Sequence, residues 1–194
     1  MIFSIGWPNV LTLLRIGIIP VFIIIFFLPF VWAHYLAALL FALACLTDWL
    51  DGFLARKLEQ SSSFGAFFDP VADKLLVSAS LLLLVGSPQL HFITLPAIVI
   101  VGREIVISAL REWMAELGQR ASIAVSYVGK IKTALQMIAI TLLLAFHQSD
   151  TWYGFLGTGL LYVAAILTIW SMLEYLKIAW PELTTYPKKN ELIS

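Results

Sequence analysis

The sequence predicts an all-α integral membrane protein of six transmembrane helices with both termini cytoplasmic. Three observations predict it. The 194 residues are 61% hydrophobic and 12% charged, with a mean hydropathy of +0.94, whereas soluble domains carry about 25% charged residues. Apolar segments recur along the chain, each close to the roughly 20 residues that a spanning helix needs. The twelve Lys and Arg residues avoid every second connection.

The segments follow in order. Met1 to Pro8 mixes Ile2, Phe3, Ile5 and Trp7 with Ser4 and Gly6 and reads as a short interfacial stretch. It has no basic segment ahead of its apolar run, so no cleaved leader is expected. The first span covers about 9–29 and closes at Pro29; the second covers about 33–56. Ser61, Ser62 and Ser63 separate it from the third, about 66–86, which ends at Gly86-Ser87-Pro88. The fourth covers about 92–117, and Gln119 and Arg120 precede the fifth, about 126–147. His147-Gln148-Ser149-Asp150 leads into the sixth, about 152–178. Residues 1–180 form one transmembrane domain without internal repeat, and 181–194 form a polar tail.

The connections near 30–34, 87–91 and 148–151 contain no Lys or Arg. Basic loops stay cytoplasmic, so both termini are expected there. The net charge of zero gives no basic footprint for nucleic acid. The single cysteine, Cys45, excludes an intrachain disulfide and reads as a small buried filler. His34, His91 and His147 fall at the face opposite the charges, and Trp7, Trp32, Trp113, Trp152 and Trp180 fall near span ends, as belt residues do.

Against this apolar background four carboxylates stand close together: Asp48, Asp51, Asp69 and Asp73. Asp48 and Asp51 are three apart and Asp69 and Asp73 four apart, so each pair occupies one helix face. A connection of about nine residues makes the two helices antiparallel neighbours, bringing the four to one depth beside the cytoplasmic surface. Only Arg56 and Lys74 are near enough in sequence to pair with them. Gathered carboxylates repel unless neutralised, and their hard oxygens suit Mg²⁺, Mn²⁺ or Ca²⁺. Two ions nearly balance four carboxylates, an arrangement that clamps a phosphoryl group in displacement reactions. Gly52, Ala55 and Gly65 leave room for a bulky ligand or for close helix packing, and Arg56 offers a fork suited to phosphate.

The pattern Asp48, Asp51, Gly52, Ala55, Arg56, Gly65, Asp69, Asp73 resembles the signature of the CDP-alcohol phosphotransferase family. The resemblance runs from Pro8 to about Leu176 and implies a six-helix membrane enzyme, a homodimer, that joins an alcohol to a CDP-linked donor and releases CMP. It implies that Asp48, Asp51 and Asp69 bind two divalent ions, Mg²⁺ or Mn²⁺, and that Asp73 is the general base and also touches metal. By the same resemblance Asn9, Thr12, Gly52, Ala55, Arg56, Ser62 and Gly65 contact the CDP-diacylglycerol head. From the residues alone, capping by Asn9 and back-bonding by Thr12 are equally available.

A second pattern joins Gly102-Arg103-Glu104 and Leu110-Arg111-Glu112 to Gly129-Lys130-Ile131-Lys132-Thr133. Arg103, Arg111, Lys130 and Lys132 form a cationic pocket suited to an anionic acceptor, above all a phosphate; pairing with Glu104 and Glu112 is the structural alternative. This wording is similar to the bacterial branch of the family that makes phosphatidylglycerophosphate. The resemblance implies transfer from CDP-diacylglycerol to sn-glycerol 3-phosphate in the bacterial inner membrane, with the active site facing the cytoplasm. Sister enzymes making cardiolipin, phosphatidylserine or phosphatidylinositol phosphate are the nearest alternative. An ion-coupled transporter is the alternative of another class, since intramembrane carboxylates also mark ion paths.

Overall fold

The computed structural model describes residues 7–58, 63–116, 127–148 and 150–184, with side chains over these spans except 7–11, 49–58, 63–66, 127–128, 130, 178 and 181–184. Among the described residues there are six helices: α1 (Trp7–Phe26), α2 (Val31–Leu58), α3 (Ser63–Val85), α4 (Thr94–Glu116), α5 (Tyr127–Ala145) and α6 (Trp152–Thr184). They match the six expected segments in order. Helix α6 continues through Pro181 to Thr184, so the start of the expected tail is helical; residues 185–194 lie outside the described residues.

The connection between α2 and α3 is shorter than the nine residues expected, because α2 continues to Leu58 and α3 begins at Ser63. The two helices are in contact, as expected. Among the described residues α2 and α3 meet sparsely, whereas α1 packs extensively against both. The first helix is thus the element that holds the two aspartate helices in register. The most extensive packing joins α5 to α6, and α6 also covers α4.

Apolar residues on all sides are what a bilayer helix needs, since both lipid and neighbouring helices are apolar. Phe22, Phe41, Leu81, Leu84, Ile100, Ile140, Leu143, Leu144 and Leu161 are fully enclosed, while Leu82, Ile98 and Ile166 stand out 68%, 64% and 63% exposed. Buried alanines, including Ala33, Ala37, Ala44, Ala139 and Ala164, let the helices approach closely. Gly157 does the same: a Cβ there would lie 2.9 Å from Leu143 Cγ.

By length and apolarity alone, two helices among the described residues suffice to cross a membrane, through Val31–Asp48 and Trp152–Lys177; Thr12–Phe26 and Ile131–Ala145 are shorter apolar stretches. The charges on α3 and α4 interrupt their apolar runs, and those charges belong to the candidate site.

At the end of the bundle away from the aspartates, His34 and His147 stack with ring centroids 4.4 Å apart and planes 12° from parallel. Phe26 packs its ring against both, and Ser87 Oγ lies 2.5 Å from His147 Nε2. The histidines expected merely to share a membrane face therefore fasten α2 to the connection after α5.

Candidate active site

Thr12 and Arg15 are three residues apart and share one face of α1. Both are buried, at 0% and 1% exposure. Arg15 Nη1 donates to Asp48 Oδ1 on α2 at 2.8 Å. Thr12 Oγ1 donates a hydrogen bond to Asp69 Oδ1 on α3. One turn of α1 thereby holds one carboxylate from each aspartate helix. Pro70 lacks a backbone N–H and cannot close the helical bond one turn back, which opens α3 beside Asp69.

Asp73 is half-buried one turn beyond Asp69, within electrostatic reach of Asp48, Arg15, Glu104 and Lys74. Cys45 lies near the same carboxylates, within reach of Asp73 and Asp48. Arg56 and Lys74 are the cations near the aspartates in sequence; the fold adds one that is distant in sequence. Arg15 is 33 positions from Asp48 but adjacent in space, because α1 packs against α2. Lys74 instead donates to Ser108 Oγ on α4 at 2.5 Å, tying α3 to α4 beside Asp73.

The side chains of Asn9, Asp51, Gly52, Ala55, Arg56, Ser62, Gly65 and Lys130 lie outside the described residues. Among the described residues no three His, Cys, Asp or Glu side chains are gathered in a group able to hold a metal ion. The chemistry of the donor set nonetheless fits a hard divalent cation. Asp48 and Asp69 each use Oδ1 in the contacts above, and a carboxylate retains a second oxygen for another partner.

A second group lies across α4, α5 and α6. Glu104 Oε1 accepts from Arg103 Nη1 at 2.9 Å and sits 3.5 Å from Lys132 Nζ. Arg103 Nη2 also donates to Ser171 Oγ on α6 at 3.2 Å. Arg111 Nη2 donates to the Tyr175 hydroxyl at 2.7 Å. Lys132 and Ser171 are buried, and Arg103 Nε is buried with no hydrogen-bond partner among the described residues. Two cations thus share the Glu104 carboxylate, and a third, Arg111, is held by a neutral hydroxyl. The surplus of positive charge and a spare guanidinium donor suit an incoming anion. Lys74, next to Asp73 in the chain, donates to Ser108, whose hydroxyl donates in turn to the Glu104 carbonyl, so this group adjoins the aspartates.

Sequence reasoning missed Arg15, Ser171 and Tyr175 as parts of this arrangement. Arg15 was visible as a charge inside an apolar span; Ser171 and Tyr175 carry no sequence signal beyond polarity in α6. A cavity of about 420 Å³ at the opposite end, lined by Tyr35, His34, His147 and Gln89, includes none of the expected site residues.

Comparison with known proteins decides the family. The model of the family described as CDP-alcohol phosphatidyltransferase matches residues 6–170. The chain belongs to this family. Relatives include proteins named CDP-diacylglycerol–glycerol-3-phosphate 3-phosphatidyltransferase. The one from Salmonella typhimurium strain LT2 is 52% identical over 172 residues, covering 89% of this chain and 93% of the relative. The one from Escherichia coli strain K12 is 51% identical over 176 residues, covering 91% and 96%. The bonded pairs Thr12–Asp69 and Arg15–Asp48 both lie inside the segment matched as a CDP-alcohol phosphatidyltransferase, as do Arg103, Glu104, Arg111 and Lys132. Membership in a transferase family sets aside the ion-coupled transporter.

Proposed function

We propose that the protein transfers the phosphatidyl group of CDP-diacylglycerol to sn-glycerol 3-phosphate, giving phosphatidylglycerophosphate and CMP. Relatives bearing the corresponding name are 51–52% identical over about nine-tenths of the chain, which supports the donor, the acceptor and the reaction. The observation that carries the acceptor is the cationic surplus of Arg103, Arg111 and Lys132 over Glu104, beside Asp73. An acceptor with a phosphate supplies the missing negative charge; choline or ethanolamine would want aromatic or acidic surroundings instead.

In this reading Asp48, Asp51, Asp69 and Asp73 would hold two divalent ions, Mg²⁺ or Mn²⁺. Such ions, when bound, neutralise the donor's pyrophosphate and the charge of the departing CMP. Asn9, Thr12, Gly52, Ala55, Arg56, Ser62 and Gly65 receive the donor head. Arg15 and Thr12 fix the carboxylates of Asp48 and Asp69. Arg103, Arg111, Lys130 and Lys132 orient the acceptor phosphate. Asp73 accepts the proton of the attacking hydroxyl as general base. The new bond forms between that oxygen and the donor phosphorus distal to cytidine, and the phosphorus–oxygen bond to CMP breaks.

The same reading makes all six helices transmembrane with both termini cytoplasmic. It treats 1–180 as one domain and 181–194 as a tail, and places the enzyme as a homodimer in a bacterial inner membrane. The absence of Lys and Arg from three alternate connections supports the orientation. It also matches substrate supply, since glycerol 3-phosphate arrives from the cytosol while the donor's acyl chains stay in the bilayer.

The test is direct. Purified protein is incubated with CDP-diacylglycerol, radiolabelled glycerol 3-phosphate and Mg²⁺ or Mn²⁺. A labelled lipid accompanied by CMP is expected. CMP release only with serine or inositol phosphate would move the chain to a sister reaction.

A further inference from the structure

Tyr175 is half-buried on α6 and contacts two charges that belong to another helix. Its ring lies 5.9 Å from the guanidinium carbon of Arg103 and 5.3 Å from that of Arg111. Its hydroxyl accepts from Arg111 Nη2 at 2.7 Å. Arg103 and Arg111 are eight residues apart on α4, about 12 Å along a helix axis. Both guanidinium groups nevertheless reach one ring. Ser171, one turn before Tyr175, takes the other end of Arg103 through Nη2.

These contacts do not neutralise charge. A tyrosine ring and two hydroxyls bind guanidinium groups while leaving them cationic. Glu104 pairs with Arg103 and Lys132, and the Arg111 contact is with Tyr175. The arrangement therefore restrains two long, flexible side chains without cancelling the positive field. Such restraint lowers the ordering cost when an anion binds.

We propose that Tyr175 is a positioning and specificity-determining residue. It aligns Arg103 and Arg111 so that together they grip the phosphate monoester of a small polyol acceptor. The inference rests on the acceptor reading above and extends it to a helix on which the sequence marked no site residue. It assigns Tyr175 no contact with the reacting atoms.

The test compares wild type with Tyr175→Phe and Tyr175→Leu in detergent micelles, measuring kcat and KM separately for each substrate. Losing the hydroxyl should raise KM for glycerol 3-phosphate about tenfold. Losing the ring as well should raise it further, by roughly another threefold. In both variants kcat and the KM for CDP-diacylglycerol should hold at the wild-type value. A merely structural role would instead depress kcat or move both KM values together, and either pattern overturns the proposal. So does an unchanged glycerol 3-phosphate KM in Tyr175→Leu. If the Leu variant does not fold, Tyr175→Phe decides alone, and an unchanged KM in it overturns the proposal. If wild type makes no lipid from glycerol 3-phosphate, the acceptor reading itself fails and this inference falls with it.

Discussion

Arg15 Nη1 lies 2.8 Å from Asp48 Oδ1, with the arginine 1% exposed and the aspartate 36% exposed. A buried cation reaching a half-open carboxylate holds the geometry of one without sealing it. In Arg15→Met the Asp48 carboxylate keeps its charge and loses its partner. We expect a stability loss of about 1–2 kcal/mol, below that of a fully buried pair because Asp48 is partly solvated. Turnover should fall as well. Thermal unfolding in detergent checks the first; a variant that melts with wild type and turns over normally would remove Arg15 from the site.

Asp69 accepts from Thr12 through Oδ1. Asp69→Asn retains a hydrogen-bond acceptor of nearly the same shape and removes the charge. Turnover should drop at least ~100-fold, the scale for losing a group that stabilises charge in a transition state, while membrane insertion is unaffected. Thr12→Val removes the hydroxyl that holds Asp69 and should cost about tenfold. Near-normal activity in the Asn variant excludes Asp69 as a metal ligand.

Stripping divalent ions with a chelator should abolish CMP release, and Mg²⁺ or Mn²⁺ should restore it while Na⁺ should not. Four carboxylates need charge neutralisation by small hard cations, which monovalent ions supply poorly. Full activity in excess chelator would end the metal reading.

Arg103 contacts Glu104 and Ser171 and has a buried Nε without a partner among the described residues. Arg103→Ala should raise KM for glycerol 3-phosphate about 10- to 100-fold, the range for a hydrogen bond to a charged group. Arg103→Lys should recover only part of this, because an ammonium lacks the planar fork. An unchanged KM in the Ala variant would place the acceptor elsewhere.

Orientation is testable by labelling. With Cys45→Ala as background, Pro88→Cys should react with a membrane-impermeant maleimide added outside intact cells. Labelling only after lysis would invert the topology.

The six helices were legible because apolar runs of bilayer length are a coarse, redundant signal. The candidate site was legible where particular side chains recur at fixed spacing, as in Asp48, Asp69 and Asp73. What the sequence withheld was lateral packing. Helices joined by a short connection are expected to touch, as α2 and α3 do, but among the described residues α1 packs more extensively against both. Arg15 and Thr12 act across that contact, at separations of 33 and 57 positions, which no helical periodicity encodes. Ser171 and Tyr175 escaped for the same reason: their partners are 68 and 64 positions away on α4.

The missing methyl group at position 157 has a consequence far from where it sits. Gly157 is 14 residues before Ser171 and 18 before Tyr175 on the same helix, about 21 and 27 Å along the axis. The inflexible branch point of Leu143 Cγ, 2.9 Å from where a Cβ would stand, makes this contact a close one. The close approach fixes one part of a single helix whose far end brings two hydroxyls to two arginines. The absent side chain at position 157 thus bears on how α6 presents Ser171 and Tyr175 to Arg103 and Arg111, several turns away.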